Sequence, residues 1–287
     1  MNNKRCFMTM VMGLMGAGIS RSRMPRLQQF LGTQQGVNVN YCLIDGEGVD
    51  GFDPVARAQQ CLAEGFSGIN VTHPYKQRVW PLVSEPAVAG HEHIGSYNTL
   101  TFKDGVIRGA NTDFSGFMRG YRFRRGKLAP GKVLMAGAGG VGRAIAFGLG
   151  ELGATEIALY DIHLEQSSSL CATLNAAGYN ARVVQQQDLA DAITAADGLV
   201  NCTAIGMYSH PGNLFDPSVL GGQQWVFDAV YTPLDTEFII AARTAGLQCI
   251  SGFDLWIYQG LDAFKIFTGV DVEDSQDLIS EALSWLD

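Results

Sequence analysis

Residues 132–153, KVLMAGAGGVGRAIAFGLGELG, set Gly137, Gly139 and Gly142 in G-x-G-x-x-G spacing. Glycines so spaced are common, but here an apolar strand-like run precedes them and a helix-compatible run follows. In that context the first glycine permits a tight turn. The second lets the backbone approach a phosphate, and the third lets strand and helix pack closely. The turn Gly137, Ala138, Gly139, Gly140, Val141, Gly142 would then present N–H groups at a helix N-terminus to a pyrophosphate. A strand–turn–helix of this kind needs parallel neighbours, so a doubly wound α/β sheet is expected around it.

An acidic residue is the second test of such a turn. The run EIALY reads as the next strand and ends at Asp161, about 20 residues beyond the glycines. A carboxylate there accepts hydrogen bonds from ribose hydroxyls and repels a 2′-phosphate. No Arg or Lys occurs from 157 to 181 to offset that repulsion. The reading is therefore NAD, with NADP the less favoured cofactor. The alternative is a glycine turn that binds nothing, with Asp161 capping a helix. The coincidence of strand, turn and acid speaks against it.

Strand-like and helix-like runs alternate along the whole chain. In the first third, strands are expected at 8–16, 37–45 and 66–72, with helices near 25–31 and 54–64. The second helix would turn Phe52, Val55, Ala56, Cys61 and Leu62 to one side. Pro74 is expected to open a helix. Residues 96–113 read as a hairpin about Asp104-Gly105, a strong two-residue turn signal. Further strands are expected in ARVVQQQ, ADGLVNCTAIGM, QWVFDAVYTP (ending in Tyr231 and Pro233) and QCISG, before a helical tail at 253–285. The change of pattern places a boundary near 111–131. Two domains follow: residues 1–110 with 253–287, and residues 111–252.

Composition narrows the partners. With 47% hydrophobic and 17% charged residues, the chain can fill sizeable cores and is not expected to be disordered. A net charge of -8 argues against nucleic acid or an anionic membrane as partner. Lys4, Arg5 and the apolar run after them resemble a signal peptide, but Arg21 and Arg23 follow at once, and the run is read instead as a buried first strand ending in a Gly-rich turn. No other segment approaches the roughly 18 apolar residues of a membrane span. The cysteines, Cys6, Cys42, Cys61, Cys171, Cys202 and Cys249, are scattered without C-x-x-C, as buried reduced thiols of a cytoplasmic protein would be. His91 and His93 lack partners at zinc spacing, so no metal is expected.

The stretch GINVTHPYKQ delivers a single lysine, Lys76, just past a strand. Asp113 is expected at the end of an extended segment in GANTDF. A carboxylate raises the pKa of a nearby ammonium, whereas desolvation lowers it. Such a lysine can take the proton of an alcohol or stabilise its alkoxide during hydride transfer. The alternative is a solvated lysine on a surface helix.

GINVTHPYKQ, IGSYNTL, GANTDFSGF, AGAGGVGRA, NCTAIGM, VYTPLDTEF and GFDLWIYQGLDAFKIFTG follow the order found in shikimate dehydrogenases, over nearly the whole chain. The resemblance is to the quinate/shikimate dehydrogenase-like branch that often prefers NAD. It implies a substrate domain, a Rossmann domain with a cleft between them, and C-terminal helices returning to the first domain. It implies an alcohol dehydrogenase that reversibly oxidises one ring hydroxyl of a small cyclic polyhydroxy carboxylate. Lys76 matches the catalytic lysine and Asp113 its partner. Ser22, Thr72, Asn98, Tyr231 and Gln259 match substrate contacts, and Thr203 and Gly252 fall with the cofactor residues. Without the resemblance, Asn98 reads as a turn residue, Thr72 as a helix cap and Tyr231 as core packing. The family contains monomers and dimers.

The carboxylate-binding loop of that family carries a second Ser or Thr and then a histidine, where this chain has Met24 and Gln28. Arg21 or Arg23 could compensate, or both could be solvated. A shifted loop could instead use Ser20 with Ser22. Ser96-Tyr97 stands where Ala-Val is usual, adding bulk near Asn98, and Ala204 stands where proline is common. The substrate is therefore left open among quinate, shikimate and an aminoshikimate-type compound. Two rivals remain: a cofactor-binding regulator with little turnover, and a folate-linked dehydrogenase, against which N-T-D and Y-x-P speak.

Overall fold

The computed structural model describes residues 9–90 and 92–285. Lys4, Arg5, Cys6 and His91, each considered above, lie outside the described residues. The chain divides into two compact units, Met1–Thr112 with Gly260–Trp285, and Asp113–Gln259.

The first unit opens with β1 (Met10–Gly16), α1 (Met24–Gln35), β2 (Val39–Asp45), α2 (Pro54–Ala63) and β3 (Gly68–Val71). β1 pairs in parallel with both β2 and β3. β3 is buried at all four positions, as a strand covered on both faces must be. α1 runs past the expected end at 31, through Gln35. It stops at Gly36, whose positive φ of 67° suits glycine. Asp53 caps α2 by accepting the Val55 N–H at 2.9 Å. On that helix Ala58 and Cys61 face the core, and Ala56, expected inside, faces solvent.

No helix begins at Pro74. The chain runs through overlapping turns to a short 3₁₀ turn at Trp80–Leu82. Pro81 explains this, since it lacks an N–H and disfavours helix at Trp80, leaving too little chain for an α-helix. β4 (Glu85–Pro86), β5 (Thr99–Lys103) and β6 (Val106–Ala110) complete a six-stranded mixed sheet, in order β2-β1-β3-β5-β6-β4. β5 and β6 form the expected hairpin. Asp104 and Gly105 both take positive φ, 55° and 74°, as a type I′ turn requires. Met15, Ile69, Val71, Tyr75, Tyr97, Leu100 and Phe102 share one core.

The second unit starts on α3 (Thr112–Arg125), a helix inside the expected boundary stretch 111–131. It continues through β7 (Lys132–Ala136), α4 (Gly140–Glu151), β8 (Glu156–Tyr160), α5 (Leu164–Ala176), β9 (Ala181–Val183), α6 (Leu189–Ala195) and β10 (Gly198–Asn201). Then come β11 (Trp225–Asp228), α7 (Glu237–Thr244), β12 (Gln248–Ile250) and α8 (Gly252–Thr268). Residues 260–268 of α8 belong to the first unit, as does α9 (Gln276–Leu283).

All six strands of the second unit are parallel, in order β12-β11-β10-β7-β8-β9. From the far edge this is the third, second, first, fourth, fifth and sixth strand of the unit, the doubly wound order. The order reverses between β7 and β10, and ligands of such sheets bind beyond the strand ends at that reversal. Strands β10 and β11 are shorter than the apolar runs containing them and stop at Asn201 and Asp228. Tyr231 therefore lies three residues past its strand, in a loop.

Candidate active site

The glycine turn lies at the reversal point. Gly137 has φ 94°, and a Cβ there would lie 2.6 Å from the Cys202 backbone. A Cβ on Gly142 would sit inside the Gly137 carbonyl oxygen. Both glycines are thus demanded by the fold itself. Gly139 is different, since a Cβ there would meet no protein atom within 4 Å. No protein neighbour therefore demands a glycine there. Gly139 is also the N-cap of α4 and offers no side-chain cap to its first turn.

Asp161 follows β8 directly. Its Oδ1 accepts the His163 N–H at 2.8 Å and its Oδ2 the Ala138 N–H at 2.7 Å. The Ala138 N–H is thereby committed to Asp161 rather than offered to a phosphate. A carboxylate has about four acceptor sites, so Asp161 can still receive ribose hydroxyls. Arg182, the first Arg or Lys after residues 157–181, is engaged with Glu156 at 3.0 Å. The residues present therefore fit a dinucleotide with free ribose hydroxyls. Thr203 follows β10, and its N–H donates to Asn201 Oδ1 at 3.0 Å. A Cβ on Gly252 would lie 2.5 Å from the Val230 carbonyl carbon, so the start of α8 also requires glycine.

On the first unit, Lys76 sits among the turns after β3 and is only 7% exposed. It is neither solvated nor on a helix. Thr72 donates its N–H to the Met15 carbonyl at 2.8 Å, and its methyl lies over Gly16. Its hydroxyl caps no helix and has no partner among the described residues. Asn98 is buried; its Oδ1 accepts the Thr112 N–H at 2.7 Å and the hydroxyls of Thr99 and Thr112 at 3.0 and 3.2 Å. It is thus part of a polar network rather than a surface turn. Tyr97 places its ring in the core against Gly109, so its bulk is absorbed there.

The loop before α1 is held by Asp45, which accepts the N–H groups of Gly18 and Ile19 at 2.9 and 3.0 Å. Ser22 is half-buried and its hydroxyl accepts the Met24 N–H at 3.2 Å. Met24 is buried, and Gln28 donates to the Gly260 carbonyl at 2.9 Å. Gln28 thus packs α1 against α8 inside the first unit. Arg21 and Arg23 are exposed and make no ion pair among the described residues.

On the second unit, Asp113 is 2% exposed and occupies the first turn of α3. It is helical rather than the end of an extended segment, and the helix N-terminus favours its charge. Gly116 and Gly120 let α3 approach α8: a Cβ on Gly116 would lie 2.6 Å from the Gln259 nitrogen. Gln259 is half-buried on α8. Tyr231, also half-buried, stacks on Trp256 at 6.3 Å. Asn201 and Asp228, absent from the sequence reading, join in a hydrogen bond of 2.9 Å beside the glycine turn. A polar residue closing each of the apolar runs GLVN and WVFD was the signal for them.

Of the five described cysteines all are free, but only Cys61 is fully buried; the other four are half-buried. Burial pushes the Cys61 thiol up to about 11. Among the described residues no His, Cys, Asp or Glu cluster could hold a metal ion, and no helix is long and apolar enough to cross a membrane.

Residues 14–100 match the shikimate dehydrogenase substrate binding domain. A quinate/shikimate dehydrogenase (NAD(+)) of Corynebacterium glutamicum (strain R) is 38% identical over 273 residues, covering 93% of this chain and 96% of its own. A shikimate dehydrogenase (NADP(+)) of Pseudarthrobacter chlorophenolicus is 35% identical over 269 residues, covering 92% and 91%. Among solved structures, quinate dehydrogenase from Corynebacterium glutamicum in complex with NAD superposes with a TM-score of 0.88 at 37% identity, covering 96% of this chain and 99% of that one. Similarity of this degree and extent, on a sheet whose glycine turn and strand-end acid fit a dinucleotide, places the chain in the quinate/shikimate dehydrogenase family.

Proposed function

We propose that this protein is an NAD-dependent dehydrogenase that interconverts a ring hydroxyl and a ketone on quinate, shikimate or a related cyclic polyhydroxy carboxylate. The observation that carries the cofactor half is the open cradle at Gly139, followed by Asp161 at the end of β8. The substrate half follows from similarity to dehydrogenases of that class over 93% of the chain.

The pyrophosphate is assigned to 137–142 and the adenosine ribose to Asp161, with Thr203 and Gly252 completing the cofactor residues. When bound, NAD supplies the acceptor for the hydride leaving the carbinol carbon. Lys76, as the neutral amine, takes the hydroxyl proton as that oxygen becomes a carbonyl. In the reverse direction its ammonium returns the proton. Asp113 is the acidic member of the proton-handling pair. Ser22, Thr72, Asn98, Tyr231 and Gln259 are the assigned substrate contacts. The uncommitted hydroxyl of Thr72 can donate or accept.

The site of action is assigned to the cytoplasm, in keeping with five free cysteines among the described residues. The enzyme acts as a monomer or homodimer. Nucleotide reduction at 340 nm with quinate and shikimate tests the reading. Turnover with NAD on at least one is expected, and a clear preference for NADP would remove the role given to Asp161.

A further inference from the structure

Asp228 closes β11 and is fully buried. Its Oδ1 accepts from Asn201 Nδ2 at 2.9 Å and from the Val230 N–H at 3.0 Å. Its Oδ2 accepts from the Thr236 hydroxyl at 2.6 Å. Asn201 closes β10 in register with Asp228. Asn201 Oδ1 accepts both the N–H and the hydroxyl of Thr203, at 3.0 and 2.7 Å, and Nδ2 also donates to the Ile205 carbonyl at 2.9 Å. The Thr203 hydroxyl accepts the Ile205 N–H at 3.1 Å. One carboxylate oxygen thus ties down two loops, 202–207 past β10 and 229–231 past β11.

Each loop abuts a glycine assigned to the cofactor. Cys202 is the residue that leaves no room for a Cβ on Gly137, and Val230 does the same for Gly252. Burying a carboxylate is costly unless its hydrogen bonds are well used. Capping α7 does not require one, because Thr236 itself accepts the Ile239 N–H at 3.2 Å. What the carboxylate adds is the shared acceptor between Asn201 and Val230.

We propose that Asp228 is a positioning residue for the dinucleotide: its Oδ1 clamps the 202–207 and 229–231 loops together, so that the glycine turn and the start of α8 meet the cofactor preformed. The ligand in this proposal rests on the dehydrogenase reading; the clamp does not.

The test uses the full chain. In Asp228→Ala, the NAD dissociation constant by calorimetry is expected to rise about tenfold or more, as loss of a charged hydrogen bond implies. Without any dinucleotide, hydrogen exchange at the amides of Thr203, Ile205 and Val230 is expected to quicken by a similar factor. Asp228→Asn keeps a carbonyl acceptor and is expected to rescue both measurements to within about threefold. Thr236→Val removes the α7 cap and is expected to lower Tm while leaving NAD affinity near that of the unaltered protein. Should Asp228→Ala not fold, Asn201→Ala breaks the same clamp from the other side and is expected to show the same two changes.

Unchanged exchange at those three amides in Asp228→Ala or Asn201→Ala overturns the proposal. So does a loss of NAD affinity in Thr236→Val as large as in Asp228→Ala, since stability alone would then explain both. If the unaltered protein bound neither NAD nor NADP, the dehydrogenase reading would fall, and the exchange result alone would decide the clamp.

Discussion

At the scale of single residues, burial separates function from accident. Lysine is almost never buried without a purpose for its charge, and Lys76 is 7% exposed. Lys76→Ala is expected to lower kcat by about 10²–10⁴ while NAD binding is retained, measured by steady-state kinetics and calorimetry. Asp161→Ala is expected to raise the NAD dissociation constant by about ten- to a hundredfold and to narrow the preference against NADP, read from parallel titrations with the two dinucleotides. Lys76 was legible in the sequence as a candidate. Its burial was not, because the turns that enclose it depend on Pro81 and on contacts remote in the chain. Asp228 went unread because Asn201 meets it only when β10 and β11 pair, and Thr236 only when the chain past β11 turns into α7.

At the scale of elements, the glycine turn makes a sharp prediction because its glycines serve different masters. Gly142→Ala drives a methyl into the Gly137 carbonyl and is expected to cost about 1–3 kcal/mol of stability, seen as a lower Tm. Gly139→Ala meets no protein atom and is expected to leave Tm near its original value while weakening NAD binding at least about tenfold. A similar Tm loss in both would mean that Gly139 serves the fold alone. The strand–turn–helix around these residues was legible because its signals are local. So was the β5–β6 hairpin, fixed by Asp104-Gly105. The helix α3 was missed although Phe114, Phe117, Met118 and Tyr121 carry its apolar spacing; four Arg among its 14 residues masked that stripe. The helix expected at Pro74 failed because a start signal cannot outweigh a second proline seven residues on.

At the scale of the molecule, two buried or backbone-bound acids give stability an opposed pH dependence. The N–H of Glu47, with those of Ile19 and Gly18, holds the Asp45 carboxyl below its ordinary value. Its contribution is therefore present above the unfolded pKa, about 3.9, and is lost as pH falls through the folded one. Asp228 is the reverse. Burial raises it to about 6 despite the hydrogen bonds from Thr236, Val230 and Asn201. Its contribution is complete below about 3.9 and is lost as pH rises through about 6. Across pH 4–7, the Tm advantage of the unaltered protein over Asp228→Asn is thus expected to shrink as pH rises; a constant difference would contradict the shift. The doubly wound parallel sheet was legible, because alternating strands and helices leave few other packings. Substrate identity was not, since Met24 and Gln28 are read only through the neighbours they pack on.

The central claim is that this chain transfers hydride between NAD and a cyclic polyhydroxy carboxylate, with Lys76 moving the proton. Absorbance at 340 nm, followed with NAD and with NADP against quinate and shikimate, for the unaltered protein and for Lys76→Ala, tests it most directly. NAD-linked turnover on at least one substrate, reduced at least about a hundredfold in Lys76→Ala, is the predicted result. Firm NAD binding with no turnover on either acid, or turnover that survives Lys76→Ala, would contradict it.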